Sequence, residues 1–140
     1  MSAAAELRAA AQKLRALAEA AAPGPWHATE YEAGVDVLGF EAGIGTSPGE
    51  RDIVDSGYEG GGVERLTDAD FIAAMHPGVA LALAAWLESE AARHEACATA
   101  AKEIWVIADH PDAVAWLASG PGAVKPEALA VARAIGGQQP

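Results

Sequence analysis

Alanine at helical spacing fills residues 1–22 and 67–136 of this 140-residue chain, whereas over residues 26–66 the alanines thin out and glycines accumulate. Alanine favours helix because it loses no side-chain entropy on entering one. Glycine weakens helix and marks turns. The division predicts a single α+β domain over residues 1–140. It has an N-terminal helix, a small antiparallel meander, one long helix and two short C-terminal helices. Hydrophobic residues make up 51% of the chain, but much of that is alanine, which buries little area per residue. The core is therefore expected to be thin and to benefit from dimerisation.

Residues 2–22 place Leu7, Leu14 and Leu17 with Ala10, Ala11 and Ala18 on one helical face. Ser2 can cap the start, and Pro23-Gly24-Pro25 stops the helix. In residues 26–66 the apolar patches Trp26–Tyr31, Val35–Phe40, Ile44 and Ile53-Val54 alternate with turn signals, which reads as three or four short strands. Residues 68–108 read as a long helix kinked or broken at His76-Pro77, with Thr67 and Asp70 as its capping box and Pro77 as the first residue of a new helix. Residues 111–136 give two short helices, the second beginning at Pro126 and ending at Gly136-Gly137. The helices are expected to cover one sheet face through Leu7, Leu14, Leu17, Phe71, Ile72, Met75, Leu83 and Leu87.

Charge is unevenly spread. The net charge is −11, yet from Glu30 to Asp70 eleven acids face only Arg51 and Arg65, a local charge of −9. Broad contact with a nucleic-acid backbone is excluded, because it needs clustered cations. Charged residues interrupt residues 1–22 too often for a secretory signal. The uncharged run from Phe71 to Leu87 holds His76, Pro77 and Gly78, which suits a helix of a soluble protein rather than a membrane span. The single cysteine, Cys97, permits no intramolecular disulfide and fits a reducing cytoplasm.

Chemistry-bearing motifs are sparse. Glu90, His94 and Cys97 could share a helix face and hold a metal, but a solvated helix face is the plainer reading, so no metal is assigned. His76 and His110 each precede a proline and read as helix-start positions. Asp52, Asp55, Glu59 and Glu64 lack the spacing of a calcium loop or a catalytic carboxylate pair; solvated strand and loop faces are the plainer reading, and an acidic interaction face is the alternative. The run Gly57-Tyr58-Glu59-Gly60-Gly61-Gly62 lacks the lysine of a phosphate-binding loop. Arg51, Arg65 and Tyr58 are the candidates for holding a small ligand. Ile104-Trp105-Val106-Ile107 is apolar all round, which makes Trp105 and Ile104 candidate oligomer contacts.

Three stretches carry a resemblance: Pro23-Gly24-Pro25-Trp26, Asp68–Leu87 (DADFIAAMHPGVALALAAWL) and Ala128–Ile135 (ALAVARAI). Their order resembles small accessory proteins of actinobacterial phages and prophages, similar to the Ead type. The resemblance implies a helix–sheet–helix chain acting in a bacterial host and brings no catalytic residues with it. The expectation is a non-enzymatic binding protein without cofactor. It would act in counter-defence by sequestering a signalling nucleotide or masking a host protein. The alternatives are an acidic nucleic-acid mimic that occupies a basic host protein, and a small metal-dependent enzyme.

Overall fold

The computed structural model describes residues 1–31, 39–46, 51–54, 61–107 and 109–137. Its elements run α1 (Ala3–Ala20), β1 (His27–Glu30), β2 (Ala42–Gly45), β3 (Asp52–Val54), α2 (Leu66–Ala74), α3 (Pro77–Ile104), α4 (Pro111–Ala118) and α5 (Pro126–Gly136). The fold is α+β. The expected strand over Val35–Leu38 lies outside the described residues. The chain divides into two compact units, one of Met1–Arg15 with Ala82–Pro140 and one of Ala16–Leu81.

The first unit is helical. Ser2 starts α1 as expected, with its Oγ accepting from the Ala5 N–H at 3.2 Å. Ala4, Leu7, Ala10 and Ala11 of α1 pack with Ala84, Leu87 and Ala91 of α3 and with Ala128 and Ala132 of α5. Leu14, Val124, Val131 and Ile135 close the edges. Leu7 and Leu87 are wholly buried, each worth roughly 1.5–3 kcal/mol. The alanines supply closeness of approach instead of bulk. Two-bond Arg8–Glu95 and Arg15–Glu88 pairs stitch α1 to α3, and Arg133 reaches Glu6 at 3.0 Å.

The proline-marked starts hold. His76 Nδ1, at the foot of α3, accepts from the Gly78 N–H at 3.1 Å. His110 Nδ1 accepts from the Asp112 N–H at 3.2 Å at the start of α4. Each ring supplies an acceptor to an N–H that helix geometry leaves unpaired. Gly137 ends α5 in the left-handed region, at φ +79°.

The second unit is built on a three-stranded antiparallel sheet, ordered β1–β2–β3. His27 pairs with Gly45 and Glu30 with Ala42, and the β2–β3 register shifts between Ile44 and Gly45. Ala42 and Ile44 meet Ala69 and Ala73 of α2, with Trp26, Ala28, Ile53, Val54, Val63 and Leu66 around them.

Three expectations are corrected. The sequence between Leu66 and Ile104 forms two helices, α2 and α3, as the break at His76-Pro77 implies, but α3 stops at Ile104 rather than near residue 108. The Thr67–Asp70 capping box does not form, because α2 already begins at Leu66, whose N–H donates to Glu41 Oε2 at 2.9 Å. A carboxylate from before β2 thus does the capping. Finally, α2 meets the sheet with its alanines. Phe71, Ile72 and Met75 are exposed, as is Leu17 of α1. Small side chains let the helix approach a sheet already filled by Trp26 and Ile44. Leu7 and Leu87 belong to the helical core instead.

Candidate interaction surface

Glu90, His94 and Cys97 lie along one stretch of α3, and their polar atoms are engaged with the protein itself. The Glu90 carboxylate, only 4% exposed, takes a two-bond grip from Arg93 at 2.9 and 2.7 Å. It also accepts from the Lys125 N–H at 2.8 Å. Arg93 donates onward to the carbonyls of Pro121 and Ala123, and His94 Nδ1 donates to Gly122 O at 2.8 Å. Cys97 Sγ lies 3.9 Å from Arg93. The cluster clamps the α4–α5 connection to α3.

Its electrostatics follow from this geometry. The Arg93 hydrogen bonds hold the Glu90 carboxyl down to about 2 from an ordinary 4.5. Burial opposes them and is outweighed, and the Lys125 N–H and the charges of Arg93 and Lys125 add to the lowering. Among the described residues no group of three or more His, Cys, Asp or Glu is arranged to hold a metal ion.

Two cavities lined by described residues lie on the helical unit. One, of about 200 Å³, lies between α1 and α5 beside Glu6, Lys13 and Arg133. The other is a groove of about 550 Å³ along Ser119–Pro126 beside Arg93. Neither Arg51 nor Arg65 lines either of them. Both arginines are exposed. Tyr58, Asp55 and Glu59 lie outside the described residues. Asp52 stands exposed at the start of β3, and Glu64 stands exposed just before α2. Ile104 is exposed at the end of α3, while Trp105 is half-buried, its ring 5.9 Å from Trp116 and 6.4 Å from His110.

The division of charge matches the division of structure. Residues 16–81 carry twelve acids and two arginines, a net −10, and the rest of the chain carries eight acids and seven Lys or Arg, a net −1. Every ion pair among the described residues belongs to the helical unit. In the sheet unit Glu19, Glu30, Glu41, Asp52, Glu64, Asp68 and Asp70 are all exposed. Glu41 caps α2, but none of the seven forms an ion pair among the described residues, so their charges are offered to solvent.

Beside these acids lies apolar surface. Leu66, Ala69 and Ala73 turn one face of α2 inward. The opposite face, at positions i, i+3, i+4 and i+7, carries Asp68, Phe71, Ile72 and Met75. Phe71 is 69% exposed, Met75 48% and Ile72 39%. Sequence reasoning placed these three in the core because they are the bulky residues of the segment. The contrary signal was the Leu66–Ala69–Ala73 stripe, a small-residue face suited to close packing. No family model, curated protein or solved structure matches the chain.

Proposed function

We propose that this chain is a non-enzymatic binding protein that masks a basic protein partner, with residues 16–81 as the binding unit. The observation behind this reading is the segregation of charge. One unit is nearly neutral and internally paired, whereas the other holds a net −10 with every described carboxylate exposed. A surface of that kind steers a cationic partner and repels nucleic acid and anionic small molecules. For the same reason a basic protein is favoured over a nucleotide. Arg51 and Arg65 are outnumbered by exposed carboxylates in their own unit, which would repel phosphate. The resemblance to phage and prophage accessory proteins supplies the setting we propose, a mobile-element product that occupies a basic nucleic-acid-binding protein of a bacterial host.

Competition tests this. A basic DNA-binding protein is bound to a fluorescent duplex, and the full chain is titrated in while anisotropy reports duplex release. Release at low salt that weakens steeply as salt is added is expected. Asp52→Lys combined with Glu64→Lys should raise the concentration needed. Retention of the duplex by a panel of basic proteins at low salt would overturn the reading.

A further inference from the structure

The exposed face of α2 gives the partner a more specific chemistry. Phe71, Ile72 and Met75 form an apolar stripe about one helical turn long, and Asp68 lies on the same face. Glu64, just before the helix, is also exposed. Charged side chains beside the stripe would serve equally well if solvation were their only role. Bulky apolar side chains on the solvent side of a short helix need another explanation, since the same helix turns only alanine and Leu66 inward.

Charge selects the occupant. A second copy of the chain would bring another net −10 unit against this one. An anionic lipid surface and a nucleic acid are repelled by the same carboxylates. A cationic segment is attracted by them, and only one with apolar side chains of its own also covers the stripe. Building on the basic-partner reading above, we infer that the α2 stripe anchors a cationic amphipathic helix of the partner protein. Its apolar face would cover Phe71, Ile72 and Met75, and its Lys or Arg residues would meet Asp68 and Glu64. Long-range charge then sets the encounter, and apolar burial sets how long the complex lasts.

Two synthetic peptides of equal positive charge separate these contributions: an oligolysine, and an amphipathic leucine–lysine helix. Each is titrated against the full chain and against a Phe71→Ser/Met75→Ser variant, at low and at physiological salt. Both peptides are expected to bind wild type at low salt, with the amphipathic peptide roughly tenfold or more tighter, as burial of an aromatic side chain implies. At physiological salt only the amphipathic peptide should remain bound. The double variant should lose that advantage and keep its oligolysine affinity, with an unchanged circular dichroism spectrum and melting temperature.

Equal affinity of the two peptides for wild type would overturn the inference and leave the basic-partner reading standing. So would an undiminished amphipathic advantage in the variant. Failure of both peptides to bind at low salt would overturn the underlying reading itself. Sedimentation equilibrium on the free protein supplies a third criterion: a dimer abolished by Phe71→Ser/Met75→Ser would make a second copy the occupant and overturn the inference.

Discussion

At the scale of single residues, Glu90 carries the most electrostatic weight. Its carboxyl is held at about 2 and takes bonds from both Arg93 and Lys125. A carboxyl depressed in the folded state stabilises the fold fully above its unfolded value near 4.5, and that contribution is lost as pH falls through about 2. The shift corresponds to a contribution on the order of 3 kcal/mol at neutral pH. Glu90→Gln should lower the denaturant midpoint at pH 7 with an unchanged slope. The gap from wild type should narrow as the titration is repeated toward pH 2. A gap that stays constant with pH would mean Glu90 acts by packing alone. The exposed pairs act differently: the Arg8 hydrogen bonds hold Glu95 below its ordinary value and the Arg15 hydrogen bonds do so for Glu88, but solvent screens both. His110 makes a separate local contribution. His110→Ala removes the acceptor for the Asp112 N–H and should cost about 1 kcal/mol, whereas His110→Asn should restore most of it. Thermal melts of the three proteins check the order.

Among the elements, α2 is the one whose orientation decides the account. Ala73→Leu forces bulk between helix and sheet and should destabilise by about 1–3 kcal/mol. Phe71→Ser, on the opposite face, should change stability by no more than about 0.5 kcal/mol. Had the helix faced the sheet through Phe71, the order would reverse, and chemical denaturation of the two variants distinguishes the cases. The helix boundaries were legible in the sequence because proline and glycine act locally. Pro77, Pro111 and Pro126 each open a helix, and Pro23-Gly24-Pro25 follows one. The strands at Ile44 and Ile53-Val54 were legible from apolar runs between turns. The face of α2 was not, because Phe71, Ile72 and Met75 have the same helical spacing as a core stripe. What reverses them is the volume already occupied by Trp26 and Ile44, a long-range fact no local pattern contains. The Glu41 cap was hidden for the same reason, since its partner Leu66 lies 25 residues along the chain. The candidate site was legible in charge alone. The acidity of the central segment was plain, and the apolar stripe that accompanies it was not.

For the whole molecule, the two units are built on different physics. The helical unit spends its charges internally: Arg8, Arg15, Arg93 and Arg133 all pair with glutamates. The sheet unit keeps a net −10 and so repels itself. Screening should relieve that repulsion, so added salt should raise the melting temperature while weakening association with a basic partner. Asp52→Asn and Glu64→Gln should follow the same logic, melting no lower than wild type yet binding more weakly. A surface selected for stability alone would not show that opposition. The most direct test of the central claim is a hydrogen-exchange footprint of the full chain, with and without a saturating basic DNA-binding protein at low salt. The account predicts that new protection falls within residues 16–81, strongest at α2 and the β2–β3 strands, and leaves α4 and α5 unchanged. Protection confined to α4 and α5, or none at saturation, would contradict it.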